Sequence, residues 1–142
     1  MALTDTGVRM LTTRLPKVIS PKQHAIIDYA AVAGGFFALT PILWKREKRA
    51  AIAALACGAV EVTTNLLTDY PGGVATVISF PTHIKIDGGF AGVVASLPSL
   101  MGFSDHWSAT FFRAQGLAIA AVGGLTQVEE EGQGRRRRRR AA

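Results

Sequence analysis

The chain has 142 residues, of which 49% are hydrophobic and 18% are charged, and its formal net charge is +6. The length fits one domain, while the charge content is low for a soluble domain of this size. Most Lys and Arg residues lie in residues 1–22, in residues 45–49 and in a final arginine run. The positive charge therefore does not form a nucleic-acid-binding surface on the fold. The single Cys57 excludes a disulfide framework.

Residues 1–20 form a basic leader in which apolar residues recur at helical spacing. This pattern is typical of a short interfacial helix whose basic side faces lipid headgroups, but Pro16 interrupts it. A disordered leader is the alternative.

Four apolar segments follow, each about twenty residues long, which is enough to cross a hydrocarbon core of about 30 Å. They cover residues 25–44, 50–68, 81–103 and 108–128. Within the third segment, Gly88 and Gly92 are spaced to let a neighbouring helix approach closely. The sequence therefore predicts an all-α fold over residues 21–128, an integral membrane four-helix bundle.

The first and third segments open on the same motif, a His followed four residues later by an Asp. The two pairs are His24 with Asp28 and His83 with Asp87. A Leu-Thr pair closes the second and fourth segments, and a proline falls late in the first and third. These matches predict two tandem transmembrane hairpins, residues 21–70 and 81–128, which together bury their shared interface. Chance similarity between helices rich in Ala and Gly is the alternative.

Three short motifs carry a resemblance to a known family. Pro-x-x-His-x-x-x-Asp opens the first helix, Leu-Thr-Asp-Tyr closes the second, and Phe-Pro-x-His-x-x-x-Asp opens the third. Over about residues 20–127 the chain thereby resembles small bacterial membrane proteins of the SPW-repeat kind. The resemblance implies a multi-pass protein of the bacterial inner membrane and no particular activity. The Ser-Pro-Trp signature itself is replaced by Thr40-Pro41-Ile42 and Leu97-Pro98-Ser99.

Four spans would bring six polar residues to one membrane face, where the first and third helices start and the second and fourth end. This predicted cluster consists of His24, Asp28, Glu61, Asp69, His83 and Asp87. Charged groups at membrane depth normally face the interior of a bundle. Three interpretations stay open: His–Asp pairs that join the first helix to the third, a haem b or metal ion held by His24 and His83, and a half-channel for protons or a small solute.

The sequence contains no nucleophile–base pattern, no Gly-rich phosphate loop and no strong metal motif. It therefore predicts no catalytic residues and no cofactor, and favours a non-enzymatic accessory or structural subunit of a larger membrane complex. The alternative is a haem- or metal-binding redox or transport protein that uses His24 and His83.

Residues 129–142 are acidic and then arginine-rich, and we expect them to be disordered. The arginine run is expected to contact anionic lipids; the alternatives are nonspecific binding of RNA or DNA by counterion release and docking on an acidic partner protein. Its members are Arg135, Arg136, Arg137, Arg138, Arg139 and Arg140. No aromatic residues are interleaved with it, so base stacking with a nucleic acid is not indicated. The basic leader and tail favour cytoplasmic termini, although residues 45–49 argue for the opposite orientation.

Overall fold

The computed structural model describes residues 15–128, and the tail with its arginine run and most of the leader lie outside the described residues. The described part forms four helices. They are α1 (Pro21–Arg46), α2 (Lys48–Leu67), α3 (Phe80–Leu100) and α4 (His106–Leu125). The prediction of an all-α architecture is confirmed for this part of the chain.

Helices α1 and α3 begin in the same way. The hydroxyls of Ser20 and Ser79 each accept a hydrogen bond from a backbone N–H of the first turn, and a proline lies in that turn. Such a cap satisfies a donor that would otherwise be unpaired, and proline has no donor to lose there. The caps place His24 and His83 in the first turn of their helices, where each backbone N–H donates to the capping serine's carbonyl (2.9 Å).

Helix α1 widens midway into a π-helical stretch, Ala31–Ala38, before it returns to α-helix. Pro41 follows this stretch, and its ring and missing N–H disrupt the hydrogen bonding of the preceding turn. The hydroxyl of Thr40 compensates in part, because it donates to the carbonyl of Phe36 at 2.7 Å. Pro41 does not end the helix, which continues to Arg46 after this change of winding.

The core lies between the four helices, and its centre consists of fully buried Phe36, Leu43, Val94 and Phe112. Helices α3 and α4 approach closely at Gly116, where an added Cβ atom would lie 2.6 Å from the carbonyl oxygen of Ala91.

The close approach of α3 to a neighbour does not involve its glycine pair. A Cβ atom added at Gly88 or Gly92 would meet nothing within 4 Å. The expectation of close packing at these two glycines was therefore wrong, because α3 turns a different face, with Ala91, toward α4.

Two loops meet at the end of the bundle opposite the histidines. The guanidinium of Arg46 forms two hydrogen bonds of 3.1 Å to the carboxylate of Asp105. Asp105 also caps α4 by accepting from the N–H and hydroxyl of Ser108. These hydrogen bonds lower the pKa of Asp105 to about 2, and the hydrogen bond from Arg46 has the largest effect. Glu47 accepts from the hydroxyl and N–H of Ser104, which lowers the pKa of that carboxyl as well.

Within residues 15–128, two helices are long and apolar enough to cross a membrane by length and composition. They are Pro21–Arg46, with a mean hydropathy of 1.7, and Lys48–Leu67, with a mean hydropathy of 1.6. Both belong to the first predicted hairpin.

Candidate functional site

Four buried side chains meet where α1 and α3 begin. The His24 Nε2 atom lies 3.3 Å from Asp28 Oδ2 and 3.1 Å from Asp87 Oδ2. The His83 Nε2 atom lies 3.2 Å from each of the same two oxygens. Nitrogen and oxygen therefore alternate around a four-membered ring of donor atoms, which we call the His–Asp centre. All four ligand atoms lie within 4.8 Å of one another, and no residue of the four is more than 8% exposed.

The spacing of the motif explains half of these contacts, and the packing of α1 against α3 explains the other half. A His and an Asp four residues apart share one helix face, which brings His24 to Asp28 and His83 to Asp87. The crossed contacts, from each His to the Asp of the other helix, are as short as the contacts within a helix. The four groups thus form one unit that joins the two helices.

The threonines at the ends of α2 and α4 hold the outer nitrogen of each imidazole. The His83 Nδ1 atom lies 2.8 Å from Thr68 Oγ1, and the His24 Nδ1 atom lies 2.8 Å from Thr126 Oγ1. Each hydroxyl donates its single hydrogen to the carbonyl oxygen four residues earlier, at 2.7 and 2.6 Å. The hydroxyl can therefore only accept from the imidazole, so Nδ1 carries a proton in both histidines.

This tautomer leaves both Nε2 atoms directed at carboxylates. In a neutral imidazole, Nε2 would then present a lone pair to two anions, which is unfavourable. Only the contact from His24 to Asp87 has the direction of a hydrogen bond. The His83 Nε2 atom is buried without a hydrogen-bond partner in residues 15–128, although two carboxylate oxygens lie 3.2 Å away. Either protons lie between the imidazoles and the carboxyl groups, carried by Nε2 or by Oδ2, or a cation lies between the four groups.

The dimensions of the His–Asp centre suit a metal ion. Zinc–nitrogen and zinc–oxygen distances of about 2.0–2.1 Å in a tetrahedral site separate neighbouring donor atoms by about 3.3–3.4 Å. The four sides of the ring measure 3.1 to 3.3 Å and match four of the six donor–donor distances of such a site; the two diagonals lie within 4.8 Å. A histidine that binds a metal usually donates its other N–H to a fixed acceptor, and each threonine hydroxyl supplies such an acceptor.

A haem does not suit the same residues. The imidazole rings of His24 and His83 lie edge to face with centroids 5.4 Å apart. Two carboxylate oxygens lie 3.1 to 3.3 Å from the Nε2 atoms, in the space where a porphyrin plane would have to pass between axial ligands. The geometry therefore favours the metal-ion form of the alternative over haem b.

Aromatic side chains close the outer side of the His–Asp centre. The hydroxyl of Tyr70 donates to Asp28 Oδ2 at 3.2 Å, and its ring lies 5.2 Å from that of His83. The ring of Phe80 lies 5.5 Å from that of His24, edge to face. Burial and the neighbouring Asp28 raise the pKa of Tyr70, so its hydroxyl remains a hydrogen-bond donor. This enclosure lowers the local dielectric around the two carboxylates.

The structure does not bring the other two residues of the predicted cluster into this ring. Asp69 is exposed, because α2 ends at Leu67 and the chain turns outward. Its backbone N–H donates to the carbonyl of Ile78 at 2.8 Å. Glu61 is buried, but its carboxylate lines a neighbouring cavity together with Asp28 and Asp87.

Sequence reasoning missed the roles of Thr68, Thr126 and Tyr70. A signal for them was present, because the Leu-Thr pair recurs at corresponding positions of the two halves and Tyr70 follows the first pair closely. In the sequence alone, this recurrence indicates only that the two halves correspond to each other. A hydrogen bond from a histidine to such a hydroxyl can be inferred only when the end of one helix is known to lie beside the start of another.

The chain matched no family model, no curated protein and no solved structure in three separate comparisons. The resemblance to SPW-repeat proteins therefore stays a prediction, and the function must be argued from the geometry.

Proposed function

We propose that this chain is a small multi-pass membrane protein that binds one zinc(II) ion in the His–Asp centre. The observation that carries the proposal is the alternating ring of Nε2 and Oδ2 atoms together with the threonine-held Nδ1–H groups. Two imidazoles and two carboxylates form a donor set that zinc accepts. Two carboxylates also balance a divalent charge, so the buried site becomes neutral overall.

A closed site of this kind suits a structural ion better than a catalytic one. All four positions of a tetrahedral zinc ion would be filled by the chain, whereas catalytic zinc keeps one position for water or substrate. The ion would join α1 to α3, and the threonines would join α2 and α4 to the same point. This supports the non-enzymatic interpretation, in which the protein is an accessory or structural subunit of a larger membrane assembly.

Four membrane spans in the bacterial inner membrane are part of the same proposal. Helices α3 and α4 have 21 and 20 residues, about 30 Å at 1.5 Å per residue. Their outward faces carry large apolar side chains, including Leu100 and Leu117, which are 74% and 71% exposed. Exposed apolar side chains on a bundle whose interior holds charged groups are typical of a lipid-facing surface. Lys85, near the start of α3, is exposed and can reach the headgroups.

The tandem-hairpin interpretation is also kept as a proposal. It is supported by the crossed contacts, in which each histidine is held by the threonine of the other predicted hairpin. The basic leader and the arginine run would then lie on the cytoplasmic side, where they would contact anionic lipids.

Metal analysis of the full chain purified in mild detergent tests the proposed zinc site. We expect one zinc ion per chain, lost in His83→Ala and in Asp87→Asn, because each variant removes one donor atom. His106→Ala is the matched control, since the third histidine is exposed at the start of α4. Added zinc should raise the melting temperature of chelator-treated wild-type protein, because an ion that binds only the folded state stabilises it.

Two results would overturn the proposal. Wild-type protein from zinc-replete cells could contain no metal and melt at the same temperature with and without chelator. The His–Asp centre would then be a seam of ion pairs. A visible absorption band of haem, lost in His83→Ala, would replace zinc by the haem alternative.

A further inference from the structure

A partly open cavity of about 240 Å³ adjoins the His–Asp centre. Asp28 and Asp87 form part of its wall, and Glu61 and Gln115 are its other polar lining residues. The rest of the lining is aliphatic or glycine; it consists of Ile27, Ala31, Gly35, Ala118, Ile119 and Val122. An apolar cavity of about 150 Å³ is known to hold benzene, so this one has room for a small organic molecule.

Glu61 brings an unpaired carboxylate to this cavity. The residue is 7% exposed, and its Oε2 atom is buried without a hydrogen-bond partner in the part of the chain that the structure describes. Buried polar groups are nearly always paired, so this atom indicates a missing partner.

The neighbouring groups indicate what kind of partner suits this carboxyl group. Asp28 and Asp87 already contact both histidines at 3.1 to 3.3 Å. None of the ion pairs in residues 15–128 includes Glu61, so no cationic side chain lies within 4.0 Å of it there. A group that donates hydrogen bonds and carries a positive charge would pair with Glu61 in its ionised form.

The residues that line the cavity also indicate whether an inorganic or an organic cation suits it. A bare metal ion needs several oxygen ligands, whereas most of this wall is aliphatic. A primary ammonium group donates three hydrogen bonds, and Glu61 and Gln115 offer it acceptors. Gly35 makes room for the Gln115 amide, because an added Cβ atom there would lie 2.8 Å from Gln115 Nε2.

We propose that this cavity binds a small primary alkylammonium ion, with its charged group on Glu61 and its aliphatic body against Ile119 and Val122. The ammonium replaces the missing hydrogen-bond donor of the Glu61 carboxylate, and the carbonyl of Gln115 accepts a second hydrogen bond. The aliphatic body of the ligand covers the apolar wall of the cavity and so excludes water from it. This site goes beyond the proposed zinc site and does not depend on the identity of the ion in the His–Asp centre.

Calorimetric titration of the full chain in mild detergent with butylammonium chloride tests the proposal. We expect saturable binding of butylammonium, and at least tenfold weaker binding of tetramethylammonium, which donates no hydrogen bonds, and of neutral butanol. Butanol controls for partition into the micelle, and sodium chloride at equal ionic strength controls for screening. Glu61→Gln, which keeps the size of the side chain, should weaken butylammonium binding by about tenfold to a hundredfold. Glu47→Gln makes the same chemical change between α1 and α2, at the opposite end of the bundle, and should bind like wild type.

The ligand series in wild-type protein keeps the test informative even if Glu61→Gln fails to fold. Equal binding of butylammonium and tetramethylammonium, or the absence of saturable binding, would overturn the proposal. So would a folded Glu61→Gln variant that binds butylammonium like wild type. Zinc content is measured in the same samples. A protein that lacks zinc but binds butylammonium would refute the zinc site and leave the ammonium site standing, and the reverse pattern would do the opposite.

Discussion

Replacing Thr68 by valine removes one hydroxyl beside the His–Asp centre with little change of shape. The hydroxyl accepts from His83 Nδ1 at 2.8 Å and is fully buried, so the variant leaves an imidazole N–H without an acceptor. A buried donor that loses its partner destabilises a fold by about 1–3 kcal/mol. Loss of a comparable partner behind a metal ligand lowers metal affinity by about tenfold to a hundredfold. At about 1.4 kcal/mol per factor of ten, the two estimates agree.

The assay is a zinc competition titration with a chromophoric chelator, accompanied by unfolding of the detergent-solubilised protein in denaturant. Thr63→Val is the matched control, because the Thr63 hydroxyl also donates to the carbonyl four residues earlier (2.7 Å) but is exposed and contacts no histidine. We expect the control to change stability by less than about 0.5 kcal/mol. If Thr68→Val binds zinc and unfolds like Thr63→Val, the deduction that Nδ1 donates to this hydroxyl is wrong.

Four further variants test the packing and the far end of the bundle. Gly116→Ala should destabilise the protein by about 1–3 kcal/mol in denaturant unfolding, because the added Cβ atom has no room. Gly88→Ala should be neutral or stabilising, because its Cβ atom would meet nothing within 4 Å. Equal effects of the two variants would contradict the contact between α3 and α4 at Gly116. Leu43→Ala should cost about 2–5 kcal/mol in the same assay, since the side chain is fully buried, and a loss below 1 kcal/mol would contradict that burial. Asp105→Asn should lower the melting temperature at neutral pH, because it breaks the ion pair with Arg46. The pKa of Asp105 falls from 3.8 to about 2 on folding. The full difference in melting temperature between wild type and Asp105→Asn should therefore be present above about pH 4 and disappear as the pH falls to 2. A difference that persists at pH 2 would refute this origin.

Local spacing made much of the His–Asp centre predictable. The i and i+4 positions of His24 and Asp28, and of His83 and Asp87, share a helix face in any α-helix, and the prolines and serines before them mark helix starts. That the pairs of two helices meet in one ring depends on how α1 packs against α3. No single-sequence pattern specifies that packing.

The positions of Asp69 and Glu61 differ from the prediction for physical reasons. Asp69 was grouped with the centre by its position along the chain, but the residue that turns inward after α2 is Tyr70, whose ring packs on His83. Glu61 was placed at roughly the right depth, because depth follows from 1.5 Å per residue, but its facing toward the cavity follows from side-chain packing. The π-helical stretch was not foreseen, since its sequence also suits an ordinary α-helix.

The start of α1 is hydrogen-bonded to the end of α4, so the two ends of the described chain lie side by side. Ile19 N–H donates to the carbonyl of Leu125 at 3.1 Å, and Gln127 N–H donates to the carbonyl of Ile19 at 2.8 Å. Between α2 and α3, Ile78 N–H donates to the carbonyl of Leu67 in the same manner at 2.9 Å. We therefore expect a circular permutant that links residue 128 to residue 15 and opens the chain at residues 71–74 to retain the contacts of the His–Asp centre. For the same reason, two separately expressed halves should reconstitute the centre when they meet.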